Sequence, residues 1–266
     1  MFFGLCNSSA TFQKMIDTLF LVPLIEGWIL VYMNDILIFT SKKELLKKYT
    51  CKILQILANN NLYLNLEKCE FEKEEIEYLG FIISSGQIKI DLKKVYGISC
   101  WSKPKTVHQV CLFLGFGNFY CCFIHYYSEL AWPLINLTKK NQLFSWRLSK
   151  QNTFDTLKSR FTSLPVLTMP DSSRSFLLET DISKFATGAV LMQKNKSGKT
   201  HLISFLSQSL FETECHYQVY DWELLAIICA LEEYWHYLQG FLFTTTIFCD
   251  YQNLTYYWTP QKLTPR

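Results

Sequence analysis

Residues 31–40 read Val31-Tyr32-Met33-Asn34-Asp35-Ile36-Leu37-Ile38-Phe39-Thr40, two short apolar runs broken by Tyr32-Met33-Asn34-Asp35. The runs are rich in β-branched and aromatic residues, so the pattern predicts two strands joined by a tight turn. An acidic residue at such a turn, held between strands that must be buried, is an expensive arrangement. An unpaired buried carboxylate costs several kcal/mol, so such a group calls for a metal or cation partner. Asp35 is therefore a candidate metal ligand. Asn34 beside it can offer a carbonyl oxygen but no negative charge.

Working outward, residues 10–21 (ATFQKMIDTLFL) have helical spacing, with Phe12, Ile16, Leu19 and Phe20 near one face. After the hairpin, residues 43–60 form an amphipathic helix, with Leu45, Leu46, Tyr49, Ile53, Ile56 and Leu57 on one side and lysines on the other. Asn59-Asn60-Asn61 stops it. Residues 62–90 read as short strands with Gly80 and Gly86 at turns. Asp91 is placed to cap a helix running through Trp101. Pro104-Lys105-Thr106 opens another, expected to reach Ile124. A further helix is expected over 150–163, and Leu164-Pro165 to Pro170-Asp171 reads as a linker. Beyond it the pattern predicts strands near 175–181, 186–193 and 200–206, and a long helix over 219–238. A strand over 244–250 and a short helix over 250–257 complete the order.

The 266 residues suggest about two domains. Hydrophobic residues make up 49% and charged residues 18%, enough for packed cores and against disorder over most of the chain. The net charge of +3 is too weakly basic to identify a nucleic-acid binder by itself. The ten cysteines form no Cys-x-x-Cys pair and no spaced histidines follow, which argues against zinc and for reduced thiols in an intracellular protein, cytoplasmic or nuclear. Met1-Phe2-Phe3-Gly4 lacks the features of a signal peptide. Val110 to Ile124, the most apolar stretch, is shorter than a membrane span and reads as a buried helix, so no membrane partner is expected.

The hairpin resembles the Tyr-X-Asp-Asp hairpin of reverse transcriptases, with Asn34 in place of the first aspartate. Phe3-Gly4-Leu5-Cys6-Asn7 and Ala10-Thr11-Phe12-Gln13 are similar to the turn and helix before that hairpin in gypsy-type LTR retrotransposons. The series continues in order through Lys68-Cys69-Glu70-Phe71, Tyr78-Leu79-Gly80-Phe81, Trp101, Pro104-Lys105-Thr106, Phe113-Leu114-Gly115, Asn118-Phe119-Tyr120 and Pro133-Leu134. Any one of these short strings is weak; the ordered series covers nearly the whole chain.

The resemblance implies an α+β chain: the end of a polymerase palm over 1–90, a helical thumb and linker over 91–170, and a ribonuclease H-like mixed α/β domain over 171–266 that stops short of the family's C-terminus. It implies RNA-directed DNA polymerase and ribonuclease H chemistry with Mg²⁺ ions at each site. The partners implied are an RNA template, a DNA primer and an RNA/DNA hybrid, with the rest of the polyprotein missing. On this chain the polymerase centre would retain Asp35 alone, the earlier palm aspartate lying before Met1. Tyr32 and Met33 would touch the primer end or simply pack in the strand, and Gly4 and Gln13 would lie at the substrate side. Trp101, Phe113, Phe116, Phe119 and Phe123 are read as core rather than base-stacking platforms. In the thumb, a basic pair common in the family is Cys121-Cys122 here, which would weaken the grip on phosphates and leave Lys103, Lys105, Lys139 and Lys140.

In the third segment, FLLETDISKFATGAVLMQ (176–193) resembles the opening strands of the retrotransposon ribonuclease H. His201, Ser204 and Ser207-Gln208-Ser209-Leu210 continue it, with Gln208-Ser209 standing where the family carries Arg-Lys. Tyr220-Asp221-Trp222-Glu223-Leu224-Leu225-Ala226-Ile227 resembles its glutamate helix, and Cys249-Asp250 with Asn253-Leu254 its third acidic strand end. Asp181, Glu223 and Asp250 thus fall on catalytic, metal-binding positions. The family's fourth aspartate and nearby histidine would lie past Arg266. The resemblance with these losses implies impaired activity; a non-catalytic remnant and a ribonuclease-only protein are the alternatives.

Overall fold

In a computed structural model, residues 6–140, 142–240 and 242–250 are described. The chain divides into two compact units, Met1–Leu79 and Gly80–Arg266.

In the first unit, α1 (Ser8–Leu19) and the short α2 (Leu21–Ile25) precede an antiparallel hairpin, β1 (Ile29–Tyr32) and β2 (Asp35–Ile38). Tyr32 faces Asp35 in the register, so Met33 and Asn34 are a two-residue loop. α3 (Lys43–Asn59) follows, and the unit ends at β3 (Glu75–Tyr78). Ile16, Phe20, Trp28, Ile29, Ile53 and Leu57 form its core, the faces expected for α1 and α3. Trp28 stacks on Tyr49 with ring centroids 4.1 Å apart.

The second unit opens on β4 (Phe81–Ser84) and β5 (Gln87–Ile90), paired antiparallel. Asp91 accepts the Lys93 amide and caps α4 (Leu92–Ser99). Thr106 likewise caps α5 (Val107–Phe119). α5 stops earlier than the apolar pattern suggested. Tyr120 and Phe123 turn inward onto Phe81, and burying those rings takes the backbone through a 3₁₀ turn at Cys121–Phe123. Nor is α5 buried all round: Leu112 and Phe119 are about half exposed. Phe119 stacks on Phe81 at the surface, so that ring is a correction to the expected core set, whereas Phe113 and Phe123 are fully buried.

α6 (Tyr127–Ile135) and α7 (Leu148–Thr162) complete a helical cluster around Phe113, Leu134, Leu157 and Phe161. The expected linker is partly structure: Leu167–Thr168 form β6, which pairs with β5 and buries Leu167. A mostly antiparallel sheet follows, with β7 (Phe176–Ile182), β8 (Ala186–Lys194) and β9 (Thr200–Ser209) side by side. β10 (Thr246–Phe248) adds to the other edge of β7 in parallel. Between them run α8 (Val219–Glu233) and α9 (Trp235–Leu238). The expected single helix over 219–238 breaks at Tyr234, which is buried against Phe176 and Leu178 and donates to the Ser204 carbonyl. The short helix expected over 250–257 falls outside the described residues, apart from Asp250. Among the described residues no helix is long and apolar enough to cross a membrane.

Candidate functional site

The hairpin turn is built to a fixed shape. Met33 has φ of +53°, a conformation that a residue with a side chain rarely adopts and that costs energy to hold. Gln13 of α1 holds it. Its Oε1 accepts the Met33 amide at 2.6 Å, and its Nε2 donates to the Val31 carbonyl at 3.2 Å and to Asp17 at 2.7 Å. The sequence placed Gln13 at the substrate side; here its hydrogen bonds serve the turn. Tyr32, Asn34 and Asp35 are exposed at the tip. Asp35 is thus not the buried carboxylate that the strand pattern suggested, because the turn projects from the half-covered hairpin. Its charge still reaches Tyr78, whose hydroxyl is raised above its usual range by burial first and by Asp35 second. Gly4 lies outside the described residues.

The second acidic group lies on the β7–β10 sheet and α8. Asp181 is near the end of β7, Glu223 on the inward face of α8, and Asp250 just beyond β10. Glu223 is buried, and its Oε2 has no hydrogen-bond partner among the described residues. Burial, then the charges of Asp181 and Asp250, hold its carboxyl above the usual range. Glu223 thus feels the charges of both other acids. The three do not form a preassembled cage, since no three His, Cys, Asp or Glu among the described residues are arranged to hold a metal ion.

Asp181 is better tied. Its Oδ1 accepts the Ile182 amide at 2.8 Å and its Oδ2 accepts the Tyr126 hydroxyl at 2.5 Å. That phenol is raised by burial and by this hydrogen bond. Beside it, burial holds the His125 imidazole below its usual value against the pull of Glu179 and Asp181. Sequence reasoning missed Tyr126. Nothing local distinguishes it, because its partner lies 55 residues away.

Cys121 and Cys122 are half-buried against the helical core, and burial pushes the Cys122 thiol up to about 11. Two of the expected phosphate-binding lysines lie over aromatic rings, Lys103 on Trp146 and Lys139 on Trp132.

Residues 1–83 match the family model for reverse transcriptase (RNA-dependent DNA polymerase), and residues 146–246 match the RNase H-like domain found in reverse transcriptase. Over these residues the chain is similar to reverse-transcriptase and RNase H-like domains. Asp35 falls within the stretch matched by the reverse-transcriptase model, and Asp181 and Glu223 within the stretch matched by the RNase H-like model. Among curated proteins, the Transposon Tf2-3 and Tf2-7 polyproteins of Schizosaccharomyces pombe (strain 972 / ATCC 24843) are each 34% identical over 252 residues, 95% of this chain. The chain spans 19% of the length of those polyproteins. In fold it is similar to a foamy viral protease-reverse transcriptase solved with dsDNA (TM-score 0.79, 21% identity, 98% of this chain and 54% of that one). A foamy viral protease-reverse transcriptase solved with an RNA/DNA hybrid gives 0.77 at 22% identity, over 96% of this chain and 34% of that one. The fold is α+β, a palm and helical thumb followed by an RNase H-like domain.

Proposed function

We propose that this chain is a piece of a gypsy-type LTR retrotransposon polyprotein whose RNase H-like domain cleaves, weakly, the RNA strand of an RNA/DNA hybrid. The observation that carries this reading is the buried Glu223 oxygen, without a hydrogen-bond partner among the described residues and under the charges of Asp181 and Asp250. A buried carboxylate in that state needs a cation.

Reverse transcriptase and RNase H families use Mg²⁺, and this donor set fits it, being all oxygen and acidic. Asp181, Glu223 and Asp250 would hold the ion. Bound there, Mg²⁺ would lower the pKa of a bound water and offset charge at the scissile phosphate. The protein's own part is to keep Asp181 oriented through Ile182 and Tyr126, and to keep Glu223 out of water on α8. An acid shielded from solvent keeps its attraction for a cation unscreened. Selection of RNA would rest on its 2′-hydroxyl.

The hairpin does not fit a two-cation centre. Asp35 is the sole carboxylate of the turn, exposed, with neutral Asn34 beside it. In this reading the reverse-transcriptase region is without polymerase activity.

The test is cleavage of an RNA-labelled hybrid by purified 1–266 in Mg²⁺, run beside primer extension on an RNA template. Slow RNA cleavage, lost in Glu223→Gln, is expected. Primer extension, or cleavage that survives Glu223→Gln unchanged, contradicts the reading.

A further inference from the structure

Residues 125–128 form a strap across three strands of the β7–β9 sheet. Tyr126 sits at φ +56°, a strained conformation for a residue with a side chain, held by its surroundings. Its hydroxyl donates to Asp181 Oδ2 on β7. Its ring lies against Gly188 on β8, where an added Cβ would come 3.4 Å from the ring's Cδ1 and Cε1. Two residues on, the amide of the buried Ser128 donates to Ser207 Oγ on β9, and Ser128 Oγ donates to the Ser207 carbonyl, both at 2.8 Å. Each contact lies on a different strand, so the strap fixes where the phenol points.

The consequence falls on Asp181. Among the described residues its two oxygens each accept one hydrogen bond, and a carboxylate oxygen has two lone pairs, so one on each stays open. The carboxylate is therefore oriented without being used up. Glu223 Oε2, by contrast, has nothing to orient it among the described residues. Within the acidic group, the pre-set member is the one that the strap touches.

We infer that Tyr126 is a positioning residue for Asp181, locking the carboxylate in the orientation from which it takes a divalent cation. This rests on the reading in which Asp181 holds such an ion. Gly188 adjoins the same device, since a Cβ there would come into van der Waals contact with the ring.

Tyr126→Phe keeps the ring and removes only the hydroxyl. Mn²⁺ binding to the full 1–266 chain, followed by electron paramagnetic resonance, is expected to weaken about tenfold in this variant, the usual effect of losing a partner of a ligating carboxylate. Ser128→Ala, which loosens the strap and keeps the phenol, is expected to weaken binding less. Unchanged or tighter Mn²⁺ binding in Tyr126→Phe overturns the inference. Asp181→Asn separates the two readings: if it binds Mn²⁺ as wild type does, the metal assignment fails. The metal-free Hα–Hβ couplings of Asp181 then still decide the role of Tyr126. A single side-chain rotamer in wild type and averaged couplings in Tyr126→Phe are expected; equal couplings in both overturn the inference.

Discussion

The Gln13 side-chain oxygen accepts the Met33 amide at 2.6 Å, tying α1 to a turn twenty residues further on. The same side chain donates to the Val31 carbonyl. Gln13→Ala removes both and leaves a strained turn without its clamp. Each buried polar group left unpaired costs about 1–3 kcal/mol, and these two are part-buried, so a loss near the lower end is expected. Urea unfolding of wild type and variant measures it. An equal midpoint would mean that the turn holds its shape without Gln13.

Glu26 accepts Trp28 Nε1 at 2.6 Å and pairs with Lys52 at 3.4 Å. The Trp28 hydrogen bond first, and Lys52 after it, hold its carboxyl below the usual value of 4.5. A carboxyl lowered on folding stabilises the folded state above its unfolded pKa, and that contribution is lost as pH falls through the folded one. Glu26→Gln should therefore be less stable than wild type at pH 7, with the gap closing below pH 4.5. Thermal midpoints across pH 3–7 check it; a gap independent of pH contradicts it.

Gly117 on α5 faces Tyr127 and Phe161, and a Cβ there would collide with the Tyr127 hydroxyl and come 3.1 Å from Phe161 Cζ. Gly117→Ala should overpack this core by about 1–3 kcal/mol despite the better helix propensity of alanine. The Tyr127 hydroxyl makes only a long bond, 3.4 Å, to the Leu114 carbonyl. Adding Tyr127→Phe to Gly117→Ala should restore much of the loss. A double-mutant cycle in denaturant gives the coupling; simple additivity would show that the collision is relieved elsewhere.

Where local chemistry decides, the sequence was a good guide. The lysine-flanked apolar face of α3, the Asp91 cap, the helix opening at Pro104-Lys105-Thr106 and the strand alternation around Asp181 all read directly from neighbours in the chain. Distant partners decided the rest. α5 ends at Phe119 because Tyr120 and Phe123 are pulled onto Phe81, and Leu167–Thr168 become a strand because β5 offers an open edge. Periodicity within α5 carries neither fact. At the candidate sites, the acidic positions came from family likeness. The exposure of Asp35, the clamp from Gln13 and the strap through Tyr126 were not, since each depends on contacts between separate elements.

Glu223 is a buried acid whose Oε2 is unpaired among the described residues, so in buffer without divalent cations its charge works against folding. Glu223→Gln should then raise the thermal midpoint of the metal-free chain. Added Mg²⁺ should stabilise wild type by mass action and leave the variant unmoved. Thermal melts with chelator and with Mg²⁺ test both halves. A variant that melts lower than wild type in chelator would show that Glu223 has a favourable partner already.

We propose that Asp181, Glu223 and Asp250 together take a divalent cation. Calorimetric titration of Mg²⁺ into purified 1–266, repeated with Glu223→Gln, tests it most directly. One saturable site in wild type, lost in Glu223→Gln, is expected. Absence of a saturable site in wild type, an equal site in the variant, or two tight sites would contradict it.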